Sequence, residues 1–423
     1  MSNAYRNNHY VPIWYQRRFL PPGKVELIYR DLKPDTFLDG GGQPRKAKEI
    51  RRPGFDRMFA KRDLYTQFFQ NQPRTLIEER FFGEIDRQGK DAVEYFTNFD
   101  LHADGRHLLQ PLLFYMSTQK LRTPKGLGWL KGLASAWPRP PGFEWIPRFP
   151  QDREVLLEVM MHLRGLFAAI WTECIWLIAS AENSPTKFIV SDHPVTVYNR
   201  RCGPRSRWCR GFDDPDIRLH ATHTIFPLSS DKVLILSNRS WLQNPYQNET
   251  GMRPNSHMMR RALFNLLDVQ TDRTLTEDEV REINFIIMSR SLRYIAAADG
   301  EWLYPEKYVD KADWKNYGQG YLLMPDPRSM HYGGTSIISF TDGGTYAVDE
   351  YGRHPVQPGY SGDRRAPGTD WSTFHRFQGE FSRLFGPNRR GRAHIGARLH
   401  EPTLSEEYFN ELLRGERIHR SRG

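Results

Sequence analysis

A chain of 423 residues, 39% hydrophobic and 26% charged, holds enough apolar material for a packed core, which excludes a disordered or fibrous protein. The net charge is +10, and residues 1–75 carry fifteen Lys or Arg against seven Asp or Glu. That local field attracts polyanions such as nucleic acid, the plain alternative being a basic surface with no ligand. Three cysteines, Cys174, Cys202 and Cys209, cannot all pair, so no disulfide framework is expected and the reducing cytoplasm is the expected compartment.

The opening "MSNAYRNNHY" lacks the apolar run of a secretion signal. Residues 7–19, "NNHYVPIWYQRRF", bring together His9, four aromatic rings, Arg17 and Arg18. Pro12 suits the first turn of a helix, so His9 is expected in a loop just before one. "KVELIYRDL" alternates in part and predicts a strand. The Gly/Pro-rich, basic "DGGGQPRKAKEIRRPG" predicts an exposed loop. Helices are expected after Thr75, with Ile77, Phe81 and Ile85 at helical spacing, and over "RHLLQPLLFYMSTQKLRTP", with Leu112, Leu113 and Met116 on one side and Pro124 as the stop. Residues 151–182 read as the longest helical segment. Within it "GLFAAIWTECIWLIASA" contains Glu173 and is short for a bilayer span, so a buried helix and no membrane partner are expected.

The period then changes. "KFIVSDHPVTVYN" reads as two β runs about Asp192 to Pro194, and "HTIFPLSSDKVLILSN" as two more. "TLTEDEVREINFIIMSRS" returns to helix, with Thr276 and Glu279 at capping-box spacing, and "RYIAAA" is a strand. Beyond residue 326 Gly, Pro and Arg rise. A hairpin is expected in "SIISFTDGGTYAVDE" and a terminal helix after Thr403 and Glu406, another capping-box pair. The expected fold class is α+β, with a predominantly helical N-terminal half packed against a modest antiparallel sheet and a C-terminal extension. The expected division is a core domain over 1–325, helical at 75–182 and β-rich at 187–300, followed by the extension 326–423.

Six fragments stand in a telling order: "HYVPIWYQRRF", "RDLYT", "QKLRTP", "FIVSDHP", "FPLSSD" and "REINFII". Together they resemble the domain-of-unknown-function family 4238, with its His-Tyr-Val-Pro signature, over roughly residues 7–300. The resemblance implies no particular activity. Matching positions are His9, Tyr10, Pro12, Gln119, Arg122, Asp192, Pro194, Pro227 and Asn284. In such proteins the position of His193 is often Asn, which implies that this ring is dispensable.

Candidate catalytic residues are His9 and Asp192. A neutral imidazole beside a helix start can serve as acid or base next to a bound phosphate, or its nitrogens can tie the N-terminus to the core. A carboxylate on a strand-end loop can hold a metal or activate water, or it can fold an Asx-turn. Tyr10, Arg17, Gln119, Arg122 and Asn284 are candidate substrate-binding residues. Gln119 and Arg122 share a helical face and can hold an anionic group or satisfy buried carbonyls. Of the adjacent arginines, Arg18 is assigned to a solvated face. No metal-ligand set and no cofactor is named: Cys202 and Cys209 lack a CxxC or paired histidines, and GxGxxG, GxxxxGK[ST] and GxSxG motifs are absent. Three functions remain. The chain is an enzyme acting on nucleic acid or a nucleotide, in the manner of a toxin or phage-defence effector. Alternatively it is a non-catalytic nucleic-acid-binding protein using the basic segment 45–52 and the arginines of 389–398, or a structural, partner-binding protein.

Overall fold

The computed structural model describes residues 7–62, 64, 67–69, 72–74, 82–101, 104–136, 160, 165, 167–253, 264, 266–309, 314–315, 317, 321–330, 336–339, 341, 345–348, 370–393 and 404–421. The N-terminal region is built of short strands. In chain order they are β1 (Asn7–His9), β2 (Ile28–Asp31), β3 (Thr36–Leu38), β4 (Pro44–Lys46), β5 (Ile50–Arg51), β6 (Ala60–Arg62), β7 (Gln67–Phe69) and β8 (Gln72–Arg74), with the five-residue helix α1 (Ile13–Arg17) after β1. Three helices follow: α2 (Gly83–Thr97), α3 (Leu109–Arg122) and α4 (Pro124–Ala136). Pro124 ends α3 as expected, but it also opens α4, where its missing N–H costs nothing. The Thr123 hydroxyl accepts from the Gly126 N–H and caps that start (3.1 Å). The expected helix start from Thr75 to Phe81 lies outside the described residues.

Next come β9 (Cys174–Ser180), β10 (Val190–Ser191), β11 (Thr196–Tyr198), β12 (His223–Pro227) and β13 (Lys232–Asn238). They are followed by α5 (Arg239–Gln243), β14 (Gln270–Thr274), α6 (Glu277–Arg290) and β15 (Tyr294–Ala297). The hairpin β16 (Ser336–Ser339) with β17 (Thr345–Val348), helix α7 (Trp371–Phe385), strand β18 (Arg392–Ala393) and helix α8 (Glu406–Ser421) complete the chain. Helix α6 starts at the expected capping box, Thr276 with Glu279. At α8 the Ser405 hydroxyl caps the Tyr408 N–H (3.2 Å), and Thr403 lies outside the described residues.

The expected fold class is overturned. Helices are spread along the whole chain rather than forming an N-terminal half, and the sheet they meet is neither modest nor purely antiparallel. Six strands run in the order β11-β12-β13-β9-β14-β18, with β14 parallel to β9 and the other pairs antiparallel. A second sheet, β10-β15-β2-β5, joins the N-terminal strands to the segment near residue 295.

Residues 174–180, "CIWLIAS", expected within a buried helix, form β9, inside the large sheet and buried at all but its last residue. A strand covered on both faces shows no alternation, so an apolar run of this length fits a buried helix equally well. The two β runs about Asp192 also part company: β10 belongs to the four-stranded sheet and β11 to the six-stranded one. The turn at Asp192 to Pro194 therefore hands the chain from one sheet to the other. One large apolar cluster spans both sheets and helices α2 and α3, with Trp171, Trp176 and Phe96 wholly buried. A second cluster packs Phe374, Phe377 and Phe381 of α7 against Ile175, Trp241 and Met330.

Candidate functional site

The N-terminal signature is woven into this core. β1 pairs antiparallel with β6, setting His9 opposite Ala60. The His9 ring nitrogen Nε2 lies 3.2 Å from the Phe55 carbonyl, and the Tyr10 N–H donates to the Phe59 carbonyl (2.9 Å). Phe59 holds φ 50°, an uncommon value for a bulky residue, and both N–H groups of Tyr10 and Val11 converge on its carbonyl. The Tyr15 hydroxyl donates to the Pro227 carbonyl (2.5 Å) while its ring stacks on Phe226. Gln16 is fully buried, donates to the Val11 carbonyl (2.8 Å) and accepts from the Tyr29 hydroxyl (2.8 Å). Arg18, assigned to a solvated face, is instead pinned: Nε donates to the Leu228 carbonyl (2.7 Å) and the guanidinium also reaches Glu94 and Thr97. Arg17 is the arginine that stays exposed, its guanidinium 5.8 Å from the Phe55 ring.

Three of the expected binding residues meet, but inside the protein. Gln119 donates to the Tyr10 carbonyl (2.6 Å) and accepts two bonds from Arg122 (2.9 and 2.5 Å). Arg122 then grips Asp86 of α2 with both terminal nitrogens (3.1 and 2.8 Å). Gln119 and Arg122 are each at most 1% exposed, so the row ties α3 to α2 and to the N-terminal loop. Asp192 is equally occupied. Its carboxylate accepts the backbone N–H groups of Leu292, Arg293 and Tyr294 (2.8, 2.7 and 2.9 Å). This is a long-range clasp between β10 and the start of β15 rather than an Asx-turn. Burial raises the Asp192 carboxyl above the usual range, against those three donors. Asn284, fully buried, bridges α6 to the Ile189 N–H (3.2 Å) and the Lys187 carbonyl (2.8 Å). His9 and Arg17 share the neighbourhood of Phe55, and the structure does not bring Asp192 into hydrogen-bond contact with either.

A buried charge cluster joins His193, whose ring the resemblance implies is dispensable, to Lys120, Lys125 and Asp214, which the sequence did not single out. His193 bonds Thr123 through Nδ1 (2.8 Å) and Asp214 through Nε2 (3.0 Å). Lys120 and Lys125 both donate to Asp214 (2.8 and 2.5 Å), and Lys125 also donates to the Arg290 carbonyl (2.7 Å). Burial alone would raise the Asp214 carboxyl, but the Lys120 and Lys125 ammoniums overcome it and hold it well below the usual range. Burial pushes the His193 imidazole down to about 4, so the ring is neutral at pH 7. The cluster fastens the segment around Asp214 onto α3 and α4. The available signal was "GFDDPD", an acidic pair in a turn-rich stretch, which says nothing of its partners until the chain folds.

On the outside, the N-terminal region presents a basic ribbon. All six residues of β3 and β4 are exposed, and their register sets Thr36 opposite Lys46, Phe37 opposite Arg45 and Leu38 opposite Pro44. Asp39 closes the turn by accepting the Gly41 and Gln43 N–H groups (2.9 and 3.0 Å), and Gly42 takes φ 76° there. The expected exposed loop is thus exposed but folded as a hairpin. Phe37 and Leu38 are 52% and 70% exposed. Lys46 and Lys48 have no ionic partner among the described residues, and Arg51 and Arg52 follow on and just after the edge strand β5. Among the described residues no helix is long and apolar enough to cross a membrane, and no group of three His, Cys, Asp or Glu side chains could hold a metal ion.

Residues 144–301 match the model of the family described as Protein of unknown function (DUF4238), the family that the sequence resembles. That segment runs from before β9 through β15 and contains most of the large sheet together with Asp192 and Asn284; the His-Tyr-Val-Pro stretch lies outside it. No curated protein and no solved structure matches the chain.

Proposed function

We propose that this chain is a cytoplasmic nucleic-acid-binding protein that holds single strands on its N-terminal ribbon. The observation that carries this reading is the exposed β3/β4 hairpin, where Phe37 stands opposite Arg45 beside Lys46 and Lys48, with Arg51 and Arg52 following; Arg45, Arg51 and Arg52 also meet the carboxylates of Asp39, Asp31 and Glu26, which a phosphate would have to displace. Lys and Arg release counterions when they meet phosphates, and an exposed aromatic ring gives a base something to stack on. Three buried free thiols suit a reducing compartment. A catalytic version through His9 and Asp192 has less support, because the Asp192 carboxylate is filled by main chain and the His9 ring nitrogen is tied to Phe55.

Fluorescence anisotropy with labelled single-stranded RNA and DNA, duplex DNA and phosphatidylserine vesicles tests it. If four side chains contact phosphates, a rise from 50 to 200 mM salt should weaken single-strand binding on the order of fiftyfold. Arg45→Glu with Lys46→Glu should remove most of the binding, and Phe37→Ala should weaken single strands more than duplex. Binding indifferent to salt, or binding to vesicles and not to nucleic acid, would sink the proposal.

A further inference from the structure

A second site lies on the large sheet, away from the residues of the ribbon. Strands β11, β12 and β13 place Tyr198, His223 and Ser237 side by side as register partners, hence on one face. That face floors a cavity of about 140 Å³ walled by Trp241, Tyr246, Tyr317 and Tyr321, with Arg200 also lining it. That space holds several waters or one ring system.

Three of the tyrosine hydroxyls around the cavity are already engaged. The Tyr198 hydroxyl is committed to the Trp314 and Tyr317 carbonyls. The Tyr321 and Tyr246 hydroxyls donate to the two carboxylate oxygens of Glu380 (2.8 and 2.5 Å). Tyr321 sits at φ 59°, a left-handed conformation that a bulky residue adopts only when its surroundings demand it.

His223 differs. The Ser237 hydroxyl donates its one proton to the Leu323 carbonyl (3.0 Å), because a carbonyl can only accept. The 2.6 Å contact between Ser237 Oγ and His223 Nδ1 must then be donated by the ring. The tautomer is therefore fixed with the proton on Nδ1, and Nε2 carries a bare lone pair. Among the described residues Nε2 has no hydrogen-bond partner, although His223 is only 6% exposed and lines the cavity. Burial, and then the charge of Arg200, push this imidazole down to about 3, so the lone pair persists at any ordinary pH. Beside the pocket Arg200 and Arg201 share one carboxylate, Glu249, and Arg376 lies 4.0 Å from the Tyr246 ring, whose hydroxyl bonds Glu380, so three guanidiniums stand against two carboxylates.

We propose that this pocket binds a free mononucleotide: a flat heteroaromatic base between the aromatic walls, donating an N–H to His223 Nε2, with its phosphate toward Arg200. Aromatic walls with few, well-placed polar groups are the usual make-up of small-ligand sites. This inference does not depend on the ribbon, since no residue of β3, β4 or β5 lines the pocket.

The test is isothermal titration calorimetry of the full chain with AMP, GMP, CMP and UMP, the matching nucleosides and inorganic phosphate. At least one base should bind as both nucleotide and nucleoside, and phosphate alone should not. His223→Leu should weaken that binding tenfold or more, whereas Arg200→Ala should weaken the nucleotide and spare the nucleoside. Nucleoside affinity should stay flat from pH 8 to pH 5. No binding of any nucleotide up to millimolar concentration, equal binding by a folded His223→Leu variant, or a loss of nucleoside binding near pH 6.5 would overturn the proposal. Should His223→Leu fail to fold, nitrogen-15 NMR of the wild-type ring still decides, since a proton found on Nε2 in the free protein would refute it.

Discussion

At the scale of single residues, Asp192 carries an unusual share of the architecture. Its carboxylate holds three consecutive backbone N–H groups at the point where β15 begins. Asp192→Ala would take the charged acceptor from those part-buried donors, at a cost of about 1 kcal/mol or more each before relaxation. A loss of several kcal/mol in urea unfolding is expected; a variant as stable as the parent would show that water or a shifted backbone replaces the clasp. His193 gives a prediction in pH. Its imidazole titrates near 6.5 when unfolded and about 4 when folded, with burial as the main cause. Between those values the unfolded chain binds a proton that the folded one refuses, so this contribution is present above pH 6.5 and is lost as the pH falls toward 4. The shift corresponds to roughly 3 kcal/mol. His193→Asn should flatten the stability profile in that window, and an unchanged slope would show that another group carries it.

At the scale of elements, β9 organises the molecule. It pairs along its full length with β13 on one side and meets β14 in parallel on the other. Trp176 at its centre is fully buried and contacts Phe96 of α2 and Phe264. Truncation to Ala is expected to cost about 3–5 kcal/mol, the usual range for a large aromatic in a core, readable as a lowered melting temperature. Substitution of exposed Val25 should cost little by comparison. The hairpin β3/β4 is the opposite case. It buries no residue, so Phe37→Ala should leave stability within about 0.5 kcal/mol while changing what the ribbon binds.

At the scale of the whole molecule, the C-terminal residues are joined to the rest by buried contacts. β18 adds an edge to the large sheet, and α7 fills the second apolar cluster. Arg328, wholly buried in its side chain, pairs with Asp326 (2.8 Å) and donates to the carbonyls of Gly386, Asn388 and Leu404. Deleting residues 326–423 would uncover Ile175 and Trp241 and strip the edge from β14. A chain of 1–325 is expected to melt well below the full chain or to aggregate. If it melts at the same temperature, the boundary at residue 326 marks an independent unit.

The sequence by itself determined the local elements whose signals are short-range. The capping box at Thr276, the strands around "SSD" and the α3 stripe follow from hydrogen bonds and side-chain spacing within a few residues. It also determined the family resemblance and the basic N-terminal field, which depend on residue identity alone. Tertiary structure decided that 174–180 is a strand, because a run buried on every side carries no period. It decided that Gln119, Arg122 and Asp192 have structural partners, because those partners lie 36 to 109 residues away. It also isolated His223, since whether a ring nitrogen keeps a free lone pair depends on where the single proton of Ser237 goes, and that is settled only when Leu323 arrives from another part of the chain.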